Sequence, residues 1–361
     1  VSRSAESSRP PTMADVARVA GVSHQTVSRV LSGHPHVREA TREQVHAAVA
    51  RLGYRRNPAA RALVTRRTRT IGVIAVNTTL HGPASTLAGV QEAARDQGYL
   101  VAVVTLRTTD GAALAEAVEH LAAWGVDGAV AITPQRETVR ALAGLRTPFP
   151  VVTVEGGHRL PLPGVSVDQA GGARLVTAHL LGCGHPTVWH VAGPRDWLES
   201  EARTAGWRAA LQEAGAPVMD PLYGDWSPQS GYRAGQALAR LVERPGGTPR
   251  GGGPAPRGGP AAVPVRAVFV ANDQMALGVL RAFREAGVRT PEDVAVAGFD
   301  DIPEAGFFPP PLTTVRQDFT AIGRRSIALL VEHIEGRAKE VAHLTVAPRL
   351  IVRASTRPAG G

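Results

Sequence analysis

A chain of 361 residues is too long for one hydrophobic core and points to two or three domains. With 43% apolar and 20% charged residues, no uncharged apolar run of about 18, and a single cysteine, Cys183, the composition excludes a membrane span, an internal disulfide and a cysteine-based zinc cluster, and fits a soluble protein of a reducing cytoplasm. The net charge of +9 sits wholly in residues 1–70, where thirteen arginines face four carboxylates, while the remaining 27 basic and 27 acidic residues balance; a basic domain joined to a neutral one is the footprint of a nucleic-acid-binding module on a separate sensor or enzyme.

Residues 1–11, rich in Ser, Arg and Pro, have no apolar period and no secretory leader pattern, so a disordered tail and a cytoplasmic location are expected. Helical periodicity begins at Thr12, a capping residue, with Val16, Ala17, Val19 and Ala20 as an apolar face and Gly21 as the stop. Ser23 is expected to cap a second helix running to about Ser32, with Gly33 as its stop. Thr41 is expected to begin a third, with Gln44 completing a capping box and Val45, Ala48, Val49 and Leu52 forming the buried stripe before Gly53. Residues 12–56 thus form a small all-α helix-turn-helix domain. Asn57-Pro58 opens a fourth, short pattern, AARALVT, followed by Arg66, Arg67 and Arg69; it is marginal as an isolated helix and marks a hinge over 57–70.

From Ile71 short Val-rich runs (IGVIAV, LVAVVT, GAVAI, PVVTV, TVWHVA, AVFVA, VAVAGF) alternate with amphipathic segments such as 86–97, 112–124 and 201–214. That grammar implies an α/β fold with parallel sheets covered on both faces, which binds ligands at the carboxyl ends of the strands. Asn77, Arg195, Asn272, Asp273, Asp300 and Asp301 fall just after these strands. Residues 245–264, almost all Pro, Gly, Ala and Arg, cannot build a core and read as a disordered insertion.

In the second helix Val27, Val30 and Leu31 face the bundle, and His24, Gln25, Ser28 and Arg29 share the opposite face. Gln bonds bidentately to adenine and Arg to guanine, and the first turn of such a helix enters the major groove. A polar helix face is by itself merely solvated; the Gly-containing turn, the basic excess and the hinge together favour double-stranded DNA as the partner.

DVARVAGVSHQTVSRVLS, ATREQVHAAVARLGYRRNPAARAL, LHGP (80–83), AGP with Arg203 and GW (192–207), GDWS (224–227), ANDQMALG (271–278), GFDD (298–301) and PPLTTVRQDF (310–319) resemble, in order and spacing, the motifs of the LacI/GalR family of bacterial transcription repressors. The resemblance runs from about Met13 to Thr356. It implies a two-lobed periplasmic-binding-protein-like core over 71–361, one lobe about 71–166 and 317–345, the other about 167–316 and 346–361, with three crossovers and a ligand cleft between them. DNA contacts are then expected from Thr12, Ser23, His24, Gln25, Thr26, Ser28 and Arg29, with Asn57, Ala60 and Leu63 in a hinge helix and Leu63 as a minor-groove wedge. Asn77, Leu80 and His81 would line one cleft wall, and Arg203, Trp226, Asn272, Asp300, Gln317 and Phe319 the rest. Those charged and amide groups suit vicinal hydroxyls and Trp226 suits a pyranose face, so the expected effector is a small saccharide, a galactoside, glucoside or relative.

Two positions depart from the family pattern: His24 replaces the usual tyrosine, and Thr153 stands where an acidic sugar contact is expected, with Glu155 nearby. No Leu heptads follow RLIVRASTRP, so a homodimer is expected without a tetramer-forming tail. A purine or a protein corepressor is the alternative effector, and a sugar-processing enzyme the other functional class; HExxH, GxSxG and GxxxxGK[ST] are all absent, and no catalytic residue, metal or cofactor is expected.

Overall fold

The computed structural model describes residues 9–55, 65, 67–76, 78–155, 162–242, 263–338 and 341–356. The chain forms two compact units, Val1–Thr68 and Arg69–Gly361. Most of the expected hinge, including Asn57, Ala60 and Leu63, lies outside the described residues, as do Asn77 and most of the 245–264 insertion.

In the first unit α1 (Met13–Ala20), α2 (His24–Leu31) and α3 (Glu39–Leu52) close on a core of Val16, Ala17, Val27, Val30, Val45 and Ala48. The start of α1 is a reciprocal cap: Thr12 Oγ1 accepts from Asp15 N, and the Asp15 carboxylate accepts from Thr12 N at 3.0 Å. The Thr12 hydroxyl, which donates to the Asp15 carboxylate at 2.7 Å, and then Thr12 N hold that carboxyl down at about 2. Gly21, at φ +66°, ends α1 in the left-handed conformation that a side chain would strain. The third helix corrects the sequence expectation. It starts at Glu39, with Arg38 as an N-cap that makes no side-chain bond, and Thr41 lies inside the first turn. Glu39, placed against the positive helix end, favours that earlier start.

The second unit is the expected α/β core. Its first lobe holds β1 (Thr70–Ala75), β2 (Leu100–Thr105), β3 (Gly128–Ile132), β4 (Val151–Val154), β5 (Gly164–Val167) and β11 (His343–Val346), all parallel, in the order β11-β5-β4-β3-β1-β2. β3 and β4 are buried throughout and β2 is an exposed edge, as the run of apolar residues in the central strands requires. Helices α4 (His81–Asp96), α5 (Gly111–Ala123), α6 (Arg136–Gly144) and α11 (Phe319–Ile334) belong to this lobe. α4 and α11 cross closely at Gly89 and Gly323; a Cβ on Gly323 would lie 2.2 Å from the Gly89 carbonyl carbon.

The second lobe has the parallel sheet β7-β6-β8-β9, from β6 (Trp189–Ala192), β7 (Leu222–Tyr223), β8 (Ala267–Val270) and β9 (Ala295–Ala297), and an antiparallel pair, β10 (Thr314–Arg316) with β12 (Arg349–Ile351). α7 (Gln169–Gly182) and α8 (Leu198–Glu213) pack together, as do α9 (Pro228–Ala239) and α10 (Asp273–Glu285). The chain passes between lobes after β5, before α11 and after β11. No helix among the described residues is long and apolar enough to cross a membrane.

Candidate functional site

Burying Val27 and Val30 against α1 and α3 turns the other side of α2 outward, and His24, Gln25 and Arg29 are exposed there with Ser28 half-buried. Ser23 caps the helix: its Oγ accepts from Thr26 N at 3.1 Å and lies 2.9 Å from Thr26 Oγ1. Thr12, also exposed, caps α1. The five amide- or cation-bearing and hydroxyl side chains of α2 and its cap therefore sit on a short rigid helix whose orientation is set by the three-helix core.

The carboxyl ends of both parallel sheets open onto one cavity, continuous with solvent, between the two lobes. After β1 come Leu80 and His81, and after β4 Glu155; from the other lobe come Gln169 of α7, Glu199 and Arg203 of α8, Trp226 after β7, Asn272 after β8 and Asp300 after β9. Gln317 and Phe319 join from the crossover into α11. The structure thus brings together all the described residues that the sequence nominated for the cleft.

Most of their polar atoms are already bonded to one another. Arg203, only 4% exposed, donates from Nε to Gln169 Oε1 at 2.9 Å and from Nη1 to the Ala271 carbonyl, and its Nη2 lies 3.4 Å from Asp300 Oδ1. Its guanidinium carbon stands 3.9 Å from the Phe299 ring centre. Gln317 Nε2 donates to Asp300 Oδ1 at 2.7 Å while Gln169 Nε2 donates to Gln317 Oε1 at 2.9 Å. Burial pushes the Asp300 carboxyl up, and Arg203 opposes it. Asn272 caps α10 through Met275 N and donates from Nδ2 to the Trp226 carbonyl at 3.2 Å. These are bonds that orient the wall.

Trp226 holds a left-handed backbone, φ +69°, and its ring packs over Gly193 so closely that a Cβ there would fall 2.2 Å from Cη2. It meets Trp197 edge to face, with ring centres 5.5 Å apart, so it is both core and cleft lining. His81 and Phe319 likewise pair edge to face at 5.6 Å.

Asp300 and Asp301, at φ +107° and +54°, part company: Asp300 faces the cleft, and Asp301 accepts from Arg316 Nε and Arg353 Nη2 at 2.6 and 2.7 Å. Asp273 is likewise structural, accepting from Ile302 N and Thr314 Oγ1. Arg195 stacks on Tyr223 at 3.6 Å, away from the lining. Thr153 is fully buried in β4 with Oγ1 donating to the Pro163 carbonyl, and the acid on that wall is Glu155 two residues on, where the strand ends. Burial raises the Glu155 carboxyl to about 7, although Val167 N donates to it at 2.8 Å.

Several lining residues escaped the sequence reading, among them Gln169, Trp197, Glu199 and, as the wall acid, Glu155. Each lies at the carboxyl end of a strand or in the first turn of the helix that follows, the signal that marks such a cleft. Glu199 is buried and its Oε2 has no hydrogen-bond partner; Trp226 Nε1 is in the same condition. Among the described residues no group of His, Cys, Asp and Glu is arranged to hold a metal ion.

Three family models match the chain: bacterial regulatory proteins, lacI family, over residues 12–57; periplasmic binding proteins and sugar binding domain of LacI family, over 68–249; and a periplasmic binding protein-like domain, over 177–356. The HTH-type transcriptional regulator CelR of Thermobifida fusca is 36% identical over 97% of this chain and 99% of its own. Among solved structures, the lac repressor dimer bound to operator and the anti-inducer ONPF superimposes with a TM-score of 0.82 at 32% identity, covering 97% of this chain and 100% of that one. A CelR-cellobiose complex superimposes with a TM-score of 0.68 at 31% identity, covering 96% and 99%. With the helix-turn-helix unit, the two-lobed core and these matches in agreement over 97% of its length, the chain belongs to the LacI family of bacterial transcription regulators.

Proposed function

We propose that this protein is a cytoplasmic transcription repressor that holds a palindromic operator as a homodimer and releases it when a small saccharide occupies the cleft. One observation carries the reading: a cavity between two lobes is walled by an oriented network of carboxyl, amide and guanidinium groups around the face of Trp226. A pyranose presents hydroxyls on its rim and C–H groups on its faces, and that is the surface such a wall complements. In this reading Arg203, Asn272, Asp300 and Gln317 form the hydroxyl-binding wall, Leu80, His81 and Phe319 the apolar edge, and Asn77 joins the first-lobe side. His24, Gln25, Ser28 and Arg29 read bases, Thr12, Ser23 and Thr26 contact the backbone, and Asn57, Ala60 and Leu63 enter the minor groove. The operator-bound dimer of the lac repressor and the cellobiose complex of CelR support both halves by likeness.

The test begins with a duplex selected from random DNA by the full-length protein. Mono- and disaccharides, with nucleosides as controls, are titrated into the complex while fluorescence anisotropy follows release. At least one saccharide is expected to weaken DNA binding by the 5- to 150-fold typical of allosteric coupling, about 1–3 kcal/mol. A nucleoside that acts where every saccharide fails would overturn the effector class, and failure to select any preferred duplex would overturn the repressor itself.

A further inference from the structure

The cleft is lined by three carboxylates, Glu155, Glu199 and Asp300, and, among the described lining residues, by one arginine and no lysine. That arginine, Arg203, is spent on the protein: on Gln169, on the Ala271 carbonyl, on Asp300 and on the Phe299 ring. Asp300 in turn accepts from Gln317, and Glu155 from Val167 N and Gln169. Glu199 differs. It is 9% exposed, it lines the cavity, and its Oε2 has no hydrogen-bond partner. Its position is held by the other lobe: Leu198 N donates to the Pro134 carbonyl and Arg136 N to the Asp196 carbonyl, each at 3.0 Å, while Arg136 and Glu201 form an ion pair outside the cavity. The start of α8 is tied across the cleft mouth on both sides of Glu199, which fixes where its carboxyl meets the cavity.

We infer that Glu199 sets the class of effector: its free oxygen takes a hydroxyl of the bound saccharide, and with Glu155 and Asp300 it bars sugars that carry a carboxylate or a phosphate. The inference rests on the saccharide reading of the cleft. A buried acceptor left unmade is costly, so a ligand hydroxyl delivered to it gains more than one delivered to a group already bonded. A ligand anion meets the reverse situation. Three acids and His81 face it, and the one guanidinium cannot turn to it without abandoning Asp300, so an anion would lose its water with no guanidinium or ammonium left to pair with. Burial and the Glu155 charge push the Glu199 carboxyl well above its ordinary range, the mark of a site with too little positive charge for its acids.

The experiment is calorimetric titration of the full chain with matched probes: cellobiose, lactose, glucose and galactose as neutral sugars, and glucuronate, galacturonate, glucose 6-phosphate and galactose 6-phosphate as their anionic counterparts. A neutral sugar is expected to bind at least on the order of a hundredfold tighter than the anion built on the same ring. Glu199→Gln keeps the shape and removes the acid; it is expected to weaken the neutral sugar about tenfold and to narrow the neutral-to-anion ratio by about tenfold. Should that variant fail to fold, Glu155→Gln reads the same ratio. An anion bound as tightly as its neutral partner, or a ratio unmoved by the substitutions, overturns the inference while leaving a saccharide cleft in place. Silence from all eight probes would instead count against the saccharide reading, and the inference would fall with it.

Discussion

Replacing Arg203 with methionine removes the one cation of the cleft network while keeping an unbranched side chain of similar reach. The arginine makes two hydrogen bonds, to Gln169 and Ala271, an ion pair with Asp300 at 3.4 Å, and a stacking contact 3.9 Å from the Phe299 centre. Breaking one side of a buried pair costs about 3–5 kcal/mol, because the remaining charge stays desolvated. Asp300 has a partial escape: already raised by burial, its carboxyl rises further without Arg203 and takes up a proton. Such a group stabilises the fold below its unfolded pKa and loses that contribution as pH rises through the folded value, so the deficit of Arg203→Met is expected to be smaller at pH 5.5 than at pH 7.5. At neutral pH the core should lose about 3 kcal/mol. Asp300→Asn, which leaves Gln317 a partner and Arg203 still near Glu155 and Glu199, should cost about 1–2 kcal/mol, and the double variant less than the sum by at least about 1 kcal/mol. Urea unfolding of the core followed by tryptophan fluorescence measures all three. A loss below about 1 kcal/mol for Arg203→Met, or additivity within about 0.5 kcal/mol, would refute the network as a single unit.

Three further outcomes follow from other parts of the molecule. His190, sandwiched between Trp207 and Phe269 with Nδ1 donating to the Phe269 carbonyl at 3.0 Å, is pushed by burial from 6.5 to about 4; its contribution is complete above 6.5 and lost as pH falls toward 4, so wild type should lose about 3 kcal/mol more than His190→Gln across that window in pH-dependent denaturant unfolding, and parallel curves would argue against it. Arg29→Ala, on the exposed face of α2, is expected to cost about 1–3 kcal/mol on the selected duplex and to relax its sequence preference, and an equal loss on random DNA in a gel-shift series would rule out base reading. Gly278→Ala places its Cβ 2.0 Å from the Pro228 carbonyl oxygen and 2.5 Å from Tyr232 N at the α9–α10 contact and should lower the melting temperature, whereas Gly182→Ala, with open space around its Cβ inside α7, should raise it or leave it unchanged.

What the sequence made legible follows from how local each signal is. The capping residues Thr12 and Ser23 and the stops at Gly21 and Gly53 act within a few residues of themselves, and α1 and α2 fall where they place them. Thr41 misled because a capping side chain competes with the charge of Glu39 at the same helix end. The seven Val-rich runs all became strands, but β5, β7, β10, β11 and β12 are only two to four residues long, too short for a pattern to stand out, and tertiary pairing makes them strands. In the cleft the nominated residues converge because each belongs to a motif at a strand end. Glu199 and Gln169 are found by asking which helices begin at the cleft, and the family pattern, which expects an acid at Thr153, falls two residues short of the acid on the wall because β4 runs on to Val154 before Glu155 meets the cavity.

The same geometry bears on how a ligand acquires leverage. Pro134 and Arg136 of one lobe are bonded to Leu198 and Asp196 of the other independently of the cleft contents, and the Gln169–Gln317–Asp300–Arg203 chain runs through two of the three crossovers. Groups that already satisfy each other gain little from a ligand, so they hold a lobe arrangement rather than choose between two. Differential affinity comes most from atoms whose bonding depends on the occupant, and among the described lining residues these include the Glu199 carboxyl and the Trp226 indole N–H. A saccharide that reaches both touches the second lobe at α8 and after β7 while its other edge rests on Leu80 and His81 of the first. Its preference for one lobe orientation is then limited to what those few contacts supply, which places the attainable shift in DNA affinity in the range of about 1–3 kcal/mol, not at an all-or-none switch.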